Sequence, residues 1–151
     1  MKSEQAIKSK LLKECILFVE NKNATISKSI ASNKNDLLSE TKSSAGDKHE
    51  TGRAMIQLEM EKAGQQLSIV NEMKEILKRI SIEETANIVK LGSLIKTTKG
   101  TYFLAVSVGQ LKIDNETYFV VSTQSPIGKQ LLGKTIGESL PFNKAEILGI
   151  F

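Results

Sequence analysis

Apolar residues recur at helical spacing through the first 80 residues, a stretch without proline. Leu12, Ile16, Val19, Asn23, Ile26, Ile30, Asn33 and Leu37 advance by alternating fours and threes, a heptad seam with two polar members. A second seam reads Met55, Leu58, Lys62, Gln66, Ile69, Met73, Ile76 and Ile80, with a polar middle. Between them, residues 39–50 are rich in Ser, Thr and Lys around Gly46, which marks a break. Two helices joined by a short break pack antiparallel. Folding about Gly46 sets Leu12 near Ile80, Val19 near Met73 and Leu37 near Met55, with polar middles opposite each other. The pattern predicts an antiparallel coiled-coil hairpin over residues 1–84 with its tip near 39–50. Arms of roughly 30 residues would project about 45 Å at 1.5 Å per residue.

After residue 84 the period changes to two. Leu91, Ser93 and Ile95 alternate with Gly92, Leu94 and Lys96, and Thr98-Lys99-Gly100 signals a turn. Tyr102, Leu104, Val106 and Val108 share one strand face, Leu111 and Ile113 lead to a turn at Asp114-Asn115-Glu116, and Tyr118 to Val121 form a buried strand. Ser125 then reads as the N-cap and Pro126 as the first residue of a short helix that Gly133 stops. Strands near 139–142 and 145–151 complete the pattern. Residues 85–151 are expected to form a small α+β domain on a mostly antiparallel sheet.

Composition refines this picture. Six of the seven aromatics lie after residue 100, so a compact apolar core belongs to the C-terminal part. The net charge is +4, with eight Lys against five acids over residues 1–46, six basic residues against eight acids over 47–84, and seven Lys against four acids over 85–151. This mild basicity permits contact with nucleic acid without requiring it. The single Cys15 excludes an internal disulfide and suits a reducing cytoplasm. No signal peptide is expected, because Lys13 and Glu14 interrupt the apolar stretch from Leu11 to Val19, and no run approaches the ~18–20 apolar residues that span a bilayer. A cytoplasmic chain without a membrane partner is expected. A hairpin that satisfies its own seam needs no partner chain, so a monomer is expected.

The sharpest candidate chemistry is Gly46-Asp47-Lys48-His49-Glu50 at the break. Three residues apart in a first helical turn, Asp47 and Glu50 leave the same side. They either complement the helix N-terminus, as a capping box does, or bind a divalent cation. Two carboxylates on a solvated tip are a poor Mg²⁺ site alone and serve best inside a partner that already holds the metal. That points to an accessory factor with no tightly bound cofactor and no enzyme activity of its own. His49 is either an acid–base group or a solvated tip residue. Lys42, Lys48 and Arg53 around the acids form a solvated rim or contact RNA phosphates or a protein partner. Cys15 lies beside the seam as a small packing residue. No serine has a histidine partner at useful spacing, and no glycine loop cradles phosphate.

Two separated stretches resemble the Gre-type transcript cleavage factors of bacteria. Gly46-Asp47-x-x-Glu50 is similar to that family's tip motif, Gly-Asp-x-x-Glu. Ser125-Pro126-Ile127-Gly128-Lys129-Gln130-Leu131-Leu132-Gly133-Lys134, followed by Gly137-Glu138, is similar to its more specific C-terminal signature. The resemblance covers nearly the whole chain. It implies an N-terminal antiparallel coiled coil and a C-terminal domain of FKBP-like fold, without implying prolyl isomerase activity. It implies RNA polymerase and the 3′ end of the nascent RNA as partners. Residues 125–129 (Ser125, Pro126, Ile127, Gly128, Lys129) fall in the region that docks at the rim of the polymerase secondary channel, and the coiled coil enters that channel. Asp47 and Glu50 would share a Mg²⁺ ion with the polymerase, present only in that complex, and stimulate its cleavage of backtracked RNA.

After the second acid the family usually reads Asn-Ala-Glu-Tyr, where this chain has Thr51, Gly52, Arg53 and Ala54. Gly52 weakens the first turns of the helix by roughly 0.5–1 kcal/mol relative to Ala. The departure leaves a second expectation open, a channel-binding regulator or inhibitor that does not promote cleavage. A free-standing enzyme or generic coiled-coil adaptor has no positive signal.

Overall fold

Ser3 opens the first helix, α1 (Glu4–Lys42), by accepting the Ala6 N–H on its Oγ at 3.1 Å, and Glu4 places an acid in the first turn. A second long helix, α2, covers Gly46–Lys78. The computed structural model describes residues 3–42 and 46–151; the side chains of 40–42 and 46–50 lie outside that description. Both helices run further toward each other than the expected break at 39–50.

Five strands and a short helix follow: β1 (Leu94–Thr97), β2 (Gly100–Ala105), β3 (Gly109–Ile113), β4 (Glu116–Ser122), α3 (Pro126–Leu131) and β5 (Ile147–Ile150). The chain is therefore α+β. The sheet order is β3-β4-β2-β1-β5. Three pairings are antiparallel, but the central β2–β4 pair is parallel, with Tyr102 beside Phe119 and Leu104 beside Val121. The sheet is mixed because β3 returns along the outer side of β4, which frees β4 to lie along β2. The expected strand at 139–142 reduces to one bridge, Ser139 with Glu146.

The two-residue turn at Asp114 and Asn115 adopts positive φ at both positions (52° and 70°), as a tight hairpin between β3 and β4 requires. Sequence alternation placed a single buried face on Tyr102, Leu104, Val106 and Val108. The structure buries both faces of β2. Tyr102 and Leu104 join Val89, Ile95, Leu131, Leu140, Ala145 and Ile147 in one core, while Phe103, from the alternate face, is fully buried beside Leu94 and Val120. A strand covered on both sides loses its period-two signal.

By contacts the chain divides into two units, Val19–Lys74 and a second comprising Met1–Phe18 with Glu75–Phe151. In the helical unit, Val19, Ile26 and Asn33 are buried and Asn23, Ile30 and Leu37 half-buried, in agreement with the first seam from Val19 onward. The second seam is displaced over residues 55–69, while its last members agree, with Met73 and Ile76 half-buried and Ile80 buried. Ala63 and Val70 are buried, and Ile56, Met60, Leu67 and Lys74 half-buried, whereas Met55, Leu58 and Ile69 are 63%, 56% and 58% exposed. Lys62 and Gln66 are exposed as well. Helix α2 carries two apolar stripes offset by one residue, about 100° around its axis. Periodicity detects both stripes but does not say which is covered.

In the other unit, the first turns of α1 bury Lys8, Leu11 and Cys15 while Leu12 is half-buried and Ile16 exposed, so the expected seam is displaced there too. Lys10 pairs with Asp114 at 3.0 Å, Glu4 with Lys96 at 3.3 Å, and Lys8 Nζ donates to the Glu84 carbonyl at 3.2 Å. These ties hold the first turns of α1 to the rest of this unit. Cys15 is buried as the expected small packing residue, on the stripe that the structure covers. Burial pushes its thiol up to about 12. Iodoacetamide at pH 8 should alkylate it at least ~100-fold more slowly in the native chain than in denaturant.

Lys8 makes a second test. Desolvation, helped by the nearby Lys90 charge, holds its amine below the usual lysine range. A base depressed in the folded state binds fewer protons there than when unfolded. Its contribution to stability therefore rises with pH from the folded value up to the ordinary lysine value. Lys8→Met should remove that rise. Urea midpoints at pH 7 and pH 10 for both chains should show a smaller upward change, or a larger downward one, in the variant.

Candidate functional site

Asp47 and Glu50 fall in the opening turns of α2, which begins at Gly46. A spacing of three in a helix sets two residues on one side. The side chains of Asp47, Glu50, Lys42 and Lys48, and His49 with them, lie outside the described residues. Lys42 is the last residue of α1, and Lys48 is one residue beyond Asp47 on α2. Arg53, one turn after Glu50, is half-buried on α2. Among the described residues, no group of three or more His, Cys, Asp or Glu side chains converges as a metal site.

The C-terminal motif has a local structural account. Ser125 caps α3: its Oγ accepts the Gly128 N–H at 3.1 Å and donates to the Ser122 carbonyl at 2.6 Å. Pro126 occupies the first turn, where its missing N–H costs nothing. Gly128 is buried where a Cβ would come within 1.8 Å of the Ser122 carbonyl oxygen. Leu131 is fully buried and Ile127 packs against the same core. Gly133, at φ 80°, reverses the chain so that its N–H meets the Val89 carbonyl, while Val89 N–H meets that of Lys134.

Glu138 closes the following turn. Its Oε2 accepts the Thr135 N–H at 2.6 Å and the Thr135 hydroxyl at 3.1 Å, and these bonds lower its carboxyl below the ordinary value. Of residues 125–129, then, Ser125 and Gly128 hold the fold, and Pro126 and Lys129 are exposed. Leu132, expected on the apolar face of α3 with Ile127 and Leu131, is instead exposed, and Ile136, Phe142 and Leu148, which sequence reading did not single out, are likewise large, apolar and exposed on the same unit. The Gly137 N–H to Ile147 carbonyl bond brings the chain at Ile136 alongside that at Leu148. Strand alternation at Leu148 offered the one available signal, since it points away from buried Ile147.

Among the described residues, no helix is long and apolar enough to cross a membrane. Compared with models of known protein families and with curated proteins, the chain matches none of them.

Proposed function

We propose that this chain is a transcription elongation factor that enters the secondary channel of RNA polymerase and promotes cleavage of backtracked RNA. One observation carries the reading most: an acid pair opens a long helix, α2, that starts only a few residues after another long helix ends. In a unit whose described residues are all helical, burial of Ile26 and Asn33 on α1 and of Ala63 and Val70 on α2 supports an antiparallel coiled-coil hairpin that holds these acids at its tip. The five-stranded mixed sheet with its short capped helix supports an FKBP-like domain. Exposed Pro126 and Lys129, together with Leu132, Ile136 and Leu148, give that domain a surface for the channel rim.

Asp47 and Glu50 fit a metal shared with a partner. Mg²⁺ takes oxygen ligands in an octahedron and commonly uses one or two carboxylates, so two acids complete a shared site but not an independent one. Bound there, the metal would supply an activated water and charge neutralisation. The protein's own contribution is to deliver two carboxylates on a stiff support and to shape access to the RNA 3′ end. Lys42, Lys48 and Arg53 supply positive charge for RNA phosphates or for the channel wall. The chain acts as an accessory factor in the cytoplasm, with no catalytic cycle of its own.

Thr51-Gly52-Arg53-Ala54 favours a second reading, in which the chain occupies the channel without promoting cleavage. Binding and cleavage measured side by side with polymerase from the same source separate the two. The first reading expects binding together with faster release of short 3′ fragments from stalled complexes. Binding without acceleration selects the regulator, and absence of binding defeats both.

A further inference from the structure

We propose that α2 also carries an interface for a second copy of this chain. Met55, Leu58 and Ile69 are more than half exposed on a helix that already buries a different stripe. With exposed Lys62 and Gln66 and half-buried Met73 they recur every three or four residues, and at 100° per residue all six fall within about 40° of one line. Large apolar side chains grouped on one exposed face mark an interaction surface.

The order along the helix selects the occupant. The stripe reads apolar, apolar, polar, polar, apolar, apolar, and so is the same from either end about a midpoint near residue 64. Two α2 helices laid antiparallel about a two-fold axis at that level set Leu58 against Ile69, Met55 against Met73 and Lys62 against Gln66. This is an isologous contact in which each copy offers the same patch. The exposed flank agrees. Glu61 comes level with Gln65 and Ser68 of the other copy, and Glu72 with Ala54 and Gln57, so no acid meets an acid along that edge. The stripe covers roughly 27 Å, about three heptads, with two polar layers at its centre. That is a short seam, and it makes a concentration-dependent dimer in place of the monomer expected from a single seam.

Sedimentation equilibrium of the full chain, from micromolar to about 1 mM, tests this. The expected result is a monomer–dimer equilibrium that Leu58→Glu weakens at least ~tenfold by setting a charge against Ile69 in both halves of the contact. Circular dichroism checks that this surface variant keeps its helices. Orientation is read by cysteine pairing. A mixture of Leu58→Cys and Ile69→Cys chains should form a disulfide-linked dimer, and Leu58→Cys alone should not, because its two copies lie roughly 16 Å apart along the axis. A monomer throughout the range, a dimer indifferent to Leu58→Glu, or faster linking of Leu58→Cys to itself would each overturn the proposal.

Discussion

Gly128→Ala is expected to destabilise the sheet-bearing unit by roughly 3 kcal/mol or more, the upper end of the cost of overpacking. Gly128 lies within α3, where an alanine would ordinarily stabilise by about 1 kcal/mol through helix propensity. The local geometry reverses that sign. The added Cβ would lie 1.8 Å from the Ser122 carbonyl oxygen and 3.0 Å from Ser125 Oγ. The first of these is backbone at the end of β4, so α3 must lift or the strand end must move. Lifting α3 withdraws Leu131 from the core and disturbs the Ser125 cap. Both tyrosines, Tyr102 and Tyr118, belong to this sheet, so tyrosine fluorescence in a urea titration reports on it directly. Gly64→Ala on α2 is the control, because nothing lies within 4 Å of its added Cβ. It should stabilise the helical signal by about 0.5–1 kcal/mol. A Gly128→Ala chain as stable as the parent would refute the packing account of the motif.

What the sequence made legible follows from how each signal arises. The capped helix at Ser125 and Pro126 was readable because capping is local chemistry, set by residues within one turn. Turn residues at Asp114 and Asn115 were readable for the same reason. The first seam was correct from Val19 to Leu37, where the helix has a single apolar stripe. It was displaced near Leu11 and Cys15, because the helix there is buried by a part of the chain remote in sequence. The second seam was placed on Met55, Leu58 and Ile69, whereas the covered stripe runs through Ile56, Met60, Ala63, Leu67 and Val70, equally periodic and equally apolar. The parallel β2–β4 pairing left no local trace, since register between distant strands depends on tertiary packing. At the candidate site, the positions of Asp47 and Glu50 on α2 follow from sequence and helix alone. The structural duties of Ser125, Gly128 and Glu138 emerged only with the hydrogen bonds.

Those duties shift the weight of the functional argument. Residues 125–138 resemble a family signature, yet much of that stretch is explained by capping, close packing and turn closure. It supports the fold more than the activity. The proposed activity therefore rests on Asp47 and Glu50, and their removal is the second large effect expected. Asp47→Asn with Glu50→Gln keeps side-chain size and polarity while deleting both negative charges. The helix loses a favourable first-turn interaction of about 0.3–1 kcal/mol per acid, too little to unfold a helix of 33 residues. In the proposed complex with polymerase, loss of two oxygen ligands to a shared catalytic metal would cost far more and abolish the acceleration.

The direct measurement is the rate of 3′ fragment release from a stalled, backtracked elongation complex at fixed Mg²⁺, with saturating parent chain and with the Asp47→Asn, Glu50→Gln double variant. The account predicts acceleration by the parent and a return to the unassisted rate with the variant, which still competes with the parent for polymerase. Equal acceleration by both chains would contradict it.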